Sequence, residues 1–215
     1  MPKPMKFTYK KKEPFRDAFF FIVVCEGKNR EPDYFRFLDG LSSRVKIVPV
    51  ESGAGSAPRL LMENAIAKEE ELDAKAERDR VWFVIDTDRW REQLHEIRKE
   101  CENYPHWMVA QSNPCFEVWL YFHAKAGIPQ LQSIEQCNNW KPYLPKIIQG
   151  GFNPDFHPIA IETAIENSKA SYSANGYFPE PGSTQLWQLG SELLPLIKKE
   201  LDNLKSRFPS PVVIG

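Results

Sequence analysis

The sequence predicts an α/β fold, a mostly parallel, doubly wound sheet with helices on both faces, and three observations carry that expectation. Two continuous apolar runs, AFFFIVVCEG at 18–27 and VWFVIDTD at 81–88, read as strands covered on both faces. The first is followed by apolar residues at helical spacing, Tyr34, Phe35, Leu38 and Leu41. Strand-like and helix-like segments then alternate over about the first 125 residues.

The second strand is expected in VKIVPVES (45–52), where Pro49 suits a sheet edge or a bulge. A Gly/Ser turn, SGAGSAP, leads into RLLMENAIAKEEELDAKAERDR (59–80), a helix with Leu60, Leu61, Ala65 and Leu72 opposite a charged face. After VWFVIDTD come a polar helix from Trp90 to Glu102, a strand WMVAQS (107–112), and a helix opening in NPCFEVWLYFH. Asn113 is expected to cap that helix, with Pro114 at its first position and Glu117 about one turn in. The rest reads as a helical cap punctuated by QGGFNPDF and NGYFPEPGST. The expected division is a basic arm (1–16), a core (17–125) and a helical extension packed on it (126–215).

Composition bounds the function without naming it. A chain of 215 residues with net charge −1 is not a globally basic nucleic-acid wrapper. Lys3, Lys6, Lys10, Lys11, Lys12 and Arg16 nevertheless crowd the N-terminus against Glu13, as a phosphate-touching arm or as a solvated terminus. The four cysteines and four histidines show no metal-finger spacing, which argues against zinc. With no signal-peptide pattern and no apolar run near twenty residues, the chain reads as cytoplasmic, off the membrane, with reduced thiols. SGAGS could offer amides to a phosphate but lacks the P-loop pattern, so an ordinary loop is the plainer reading.

The chemistry resides in acids at strand ends. Glu26 closes the first buried strand; Asp86 and Asp88 close the third and share a face if the extended geometry persists. Carboxylates crowded on one rim resist ionising together unless a cation joins them. Mg²⁺ takes such oxygen ligands together with substrate phosphates. Helix capping is the competing reading for either aspartate. Glu117, in apolar company, is a further ligand or proton acceptor, or an acid favouring the helix dipole.

These segments resemble the RloB-like family, a branch of the Toprim superfamily. VVCEGKNREPDYFRFL matches its EG-x-x-x-EP-x-YF signature, VIDTDRW carries the Asp-x-Asp, and SNPCFEVWLYFH carries the Asn-Pro-Cys-Phe-Glu block. A weaker likeness reaches PGSTQLWQLG, where the family more usually has NPST; KNREP also lacks the usual threonine. The resemblance implies a Toprim-like sheet sandwiched by helices, with Mg²⁺ (or Mn²⁺) held by Glu26, Asp86 and Asp88, and Glu117 as the additional acid. It also implies a role in bacterial anti-phage defence beside an ABC-type ATPase.

The function expected is a metal-dependent nuclease acting on DNA or RNA, tRNA among the possibilities. In it Glu26, Asp86, Asp88 and Glu117 serve metal and catalysis, Lys28 or Arg30 neutralises a phosphate oxygen, and Lys141 and Lys146 touch the nucleic-acid backbone. Solvated surface lysines are the plain alternative for those cations. Two rivals stand beside it: a nucleotide-sugar transferase, which also uses Asp-x-Asp but has no need of Glu26, and a non-catalytic docking or sensor module of an ATPase complex.

Overall fold

The computed structural model describes residues 18–51, 57–87 and 94–207. The basic arm, the SGAGS turn, Asp88 and the first residues of the helix expected from Trp90 lie outside the described residues.

Four strands, β1 (Phe19–Cys25), β2 (Val45–Glu51), β3 (Arg80–Asp86) and β4 (Trp107–Ser112), form one sheet in the order β2-β1-β3-β4. All three pairings are parallel. The long crossovers that parallel pairing requires carry α1 (Arg30–Leu38), α2 (Pro58–Leu72) and α3 (Leu94–Cys101). The expected α/β fold with a Toprim-like, mostly parallel sheet is therefore present, and Pro49 lies on edge strand β2 as its missing N–H requires.

The period-two geometry of the strands divides the sheet side chains between two cores. Phe21, Val23, Cys25, Trp82 and Val84 face one way, towards Tyr34, Phe35 and Leu38 of α1. Ile22, Val24, Val81, Phe83 and Ile85 face the other way, towards Leu61 and Ala65 of α2 and Leu94 and Ile97 of α3. Burial on both faces is why these strands read as unbroken apolar runs.

The first core continues into the C-terminal half. It takes in α4 (Glu117–Phe122), α5 (Cys137–Trp140), α6 (Leu144–Ile147), a 3-10 turn (His157–Ala160), α7 (Ile161–Ala170) and α8 (Leu186–Arg207). Gly190 of α8 lets that helix close on α7 and α4, since a Cβ there would meet Ile165 Cγ1 at 2.8 Å and Trp119 at 3.6 Å. This region is not wholly helical: β5 (Ala174–Asn175) and β6 (Phe178–Pro179) make a short antiparallel hairpin. Ser112 bridges to Thr184, carrying the chain after the hairpin back to the end of β4.

Two helix boundaries differ from the sequence reading. The second helix stops at Leu72, with Asp73 in the left-handed region at φ 48°, and does not run on to Arg80. The residues that follow are drawn into a turn by buried Asp79, whose carboxylate accepts the N–H of Phe20 at 2.8 Å and of Lys75 at 2.6 Å. The fourth helix begins at Glu117, not Pro114. Asn113–Pro114 is a cis peptide, and the Asn113 side chain donates to the Pro179 carbonyl at 2.8 Å, so it does not cap α4. Among the described residues no helix is long and apolar enough to cross a membrane.

Candidate functional site

Parallel strands bring their carboxyl ends to one rim, and β1 and β3 are neighbours there. Cys25 pairs with Val84, and the backbone N–H of Glu26 donates to the Val84 carbonyl at 3.1 Å. This register sets the Glu26 side chain beside the end of β3, where its Oε2 accepts the backbone N–H of Asp86 at 2.9 Å. Sixty residues apart in sequence, Glu26 and Asp86 meet across a hydrogen-bond length. Glu26 is buried, and the N–H it accepts holds the carboxylate in place.

Beyond Asp86, the last residue of β3, Thr87 donates its N–H to the carbonyls of Ser112 (2.9 Å) and Pro114 (3.0 Å). Asp88 itself lies outside the described residues.

Glu117 opens α4 as a buried acid and forms an ion pair with Arg30, the first residue of α1. The Arg30 side chain remains 51% exposed while that of Glu117 is 5% exposed, so the pair has one foot in solvent. Cys137 Sγ lies 3.5 Å from the other Glu117 oxygen. Cys115 and Cys137 are joined as a disulfide, which corrects the expectation of reduced thiols for this pair, while Cys25 and Cys101 are free. Cys115, Glu117 and Cys137 place potential ligand atoms within 4.8 Å of one another, but sulfurs bonded to each other are poor ligands and Mg²⁺ selects oxygen.

Sequence reasoning missed one acid. Glu31, in the first turn of α1, is buried, and its carboxyl group is pushed above the usual range by burial first and then by the charges of Glu117 and Glu26. The backbone N–H of Glu31 and the charge of Arg30 oppose that shift. Glu31 thus feels the charges of both Glu26 and Glu117. A Cβ on Gly27 would come within 2.6 Å of the Glu31 carboxyl carbon. The signal was present in EG-x-x-x-EP, whose second acid belongs to this site together with its glycine.

A model of the family described as RloB-like protein matches residues 21–193. The chain belongs to the RloB-like family. No curated protein and no solved structure matches it.

In this RloB-like protein the matched span contains Glu26, Glu31, Asp86 and Glu117. All four donor groups are hard carboxylates, and the Glu31 carboxyl is raised by burial first and then by the charges of Glu117 and Glu26. A divalent cation that prefers oxygen fits that donor set. Of the expected cations, Arg30 is at the site as the partner of Glu117. Lys28 is exposed in the loop after Glu26, and Lys141 and Lys146 are exposed beside α5 and in α6.

Proposed function

We propose that this RloB-like protein is a Mg²⁺- or Mn²⁺-dependent nuclease that hydrolyses phosphodiester bonds of DNA or RNA, tRNA included. The observation carrying this reading is the meeting of Glu26 and Asp86 from separate strands at one rim, 2.9 Å from carboxylate to backbone N–H. A nucleotide-sugar transferase built on Asp-x-Asp would have no use for a buried Glu26 locked against that motif. Action in anti-phage defence beside an ATPase is supported by the family resemblance alone.

Glu26 and Asp86, with Asp88, would hold the cation, and Glu31 and Glu117 would complete the acidic surround. Bound there, Mg²⁺ supplies positive charge to the scissile phosphoryl group and lowers the pKa of the attacking water. Glu117, freed from Arg30 as substrate enters, accepts the proton of that water. The half-exposed Arg30 then turns to a non-bridging phosphate oxygen, a task its planar guanidinium suits. Lys28 adds charge from the same loop.

Purified protein with Mn²⁺ or Mg²⁺ should nick DNA or cut a structured RNA. Glu26→Gln and Asp86→Ala should each reduce the rate by roughly 100-fold or more. Undiminished cleavage by Asp86→Ala would remove the site from the mechanism. Inactivity on every substrate, even with the partner ATPase present, would favour the docking role.

A further inference from the structure

Beside the acidic rim the molecule has a second feature that hydrolysis alone leaves unused. A pocket of about 560 Å³ opens between the end of β3, the start of the α4 segment and the β5–β6 hairpin. This volume is in the range of small-ligand sites, roughly 300–1,000 Å³. Thr87, directly after Asp86, and Asn113, four residues before Glu117, line it, so the pocket adjoins the candidate site through the backbone itself.

The chemistry of the walls is specific. Phe178, Pro114, Pro179 and Pro181 are the apolar residues of the lining. Phe178 is held in place by two neighbours: the His95 ring packs against it in a T-shaped arrangement at 4.8 Å, and the Arg98 guanidinium lies 5.7 Å from its centroid. Arg98 is in turn fixed by the side-chain carbonyls of Gln111 and Gln185, each at 2.8 Å. The hairpin is tied down by the Asn113 side chain on the Pro179 carbonyl and by the N–H of Glu180 on the Ser173 carbonyl, both at 2.8 Å. The wall is therefore built before any ligand arrives.

Two carboxylates, Glu135 and Glu180, complete the lining, and among the described residues neither side chain has a hydrogen-bond or ion-pair partner. No lysine or arginine lines the pocket among those residues. Such a lining repels phosphate and welcomes a flat ring whose edge carries N–H donors. Among the bases, guanine fits best: its N1–H and exocyclic N2–H₂ form a continuous donor edge for carboxylate oxygens, whereas adenine and cytosine offer one amino group and uracil one N–H.

We infer that this pocket receives an unstacked guanine of the nucleic-acid substrate, with Glu135 and Glu180 accepting from its donor edge and Phe178 and the prolines holding its face. The inference deepens the nuclease reading by naming the base next to the scissile phosphate. A base must leave its stack to enter, so the substrate is single-stranded or looped there.

Ligand-observed NMR titration of the full chain with guanosine, inosine, adenosine, cytidine and uridine in EDTA tests the pocket without requiring chemistry. Guanosine should bind about tenfold more tightly than the other three common nucleosides. Inosine, lacking the N2 amino group, should lose most of that advantage. Glu135→Gln and Glu180→Gln, both at exposed positions with no hydrogen-bond or ion-pair partner among the described residues, should each weaken guanosine binding by several-fold with an unchanged circular dichroism spectrum. Equal binding of all five nucleosides, or guanosine binding indifferent to both variants, would overturn the assignment. The nuclease reading stands or falls separately: selective guanosine binding by a protein that never cleaves would keep the pocket and remove the hydrolysis, and cleavage without selective guanosine binding would do the reverse.

Discussion

Gly27 has no side chain because the Glu31 carboxylate occupies the space where one would begin. That carboxylate is the far end of a flexible chain, so an added methyl group displaces it more readily than it unfolds the protein. Gly27→Ala should cost less than about 1 kcal/mol of stability. It should nevertheless weaken Mn²⁺ binding by roughly tenfold, as loss of a supporting acid does, and Glu31→Gln should weaken it similarly. Calorimetric Mn²⁺ titration of both variants checks this; wild-type affinity in each would take Glu31 out of the cation's surroundings. At this scale the sequence displayed Glu26 and Asp86 openly, because each ends a run too apolar to tolerate an idle acid. Glu31 was harder to see, since an acid in the first turn of a helix is ordinary and only its burial against Gly27 marks it.

Among the elements, α4 is six residues long and buried along its length, and it is held by more than packing. The Cys115–Cys137 bond ties its approach to α5 across a separation of 22 residues, and Arg30 ties Glu117 to α1. Closing a loop of that length restricts the unfolded chain by about 3 kcal/mol in the chain-entropy account. Reduction, or Cys137→Ser, should lower the urea midpoint accordingly, with α4 the element that loosens. An identical midpoint with and without reductant would show that the bond contributes nothing. Spacing could not reveal this pairing, for the two cysteines are separated by one short helix, α4, and the loop that follows it. Nor could it reveal that Asn113 serves the β5–β6 hairpin in place of capping α4.

Across the whole molecule, the larger core closes around His123, which is 2% exposed. Its Nδ1 lies 3.0 Å from the Trp119 carbonyl and so carries the proton, leaving Nε2 to accept from the Tyr34 hydroxyl at 3.1 Å. Burial pushes its pKa down from 6.5 to about 3. Between those values the unfolded chain binds a proton that the folded one refuses, so stability falls as pH drops through that window, by roughly 1.4 kcal/mol per pH unit at full effect. His157, also shifted down by burial, acts in the same direction, while Glu31, shifted up, acts oppositely because its folded form gains from protonation. Urea unfolding at pH 7 and pH 5 should show the loss, and His123→Gln should flatten the difference; an unchanged slope in that variant would assign the effect elsewhere. By itself the sequence determined the parallel α/β sheet and the acids at its strand ends, because continuous apolar runs are stable only as strands buried on both faces and a carboxylate there must emerge at the rim. Only the tertiary structure decided that Glu31 and Arg30 join that rim, that two distant cysteines bond, and that a hairpin walls a pocket beside it, since each depends on chain segments brought together by packing and not by spacing.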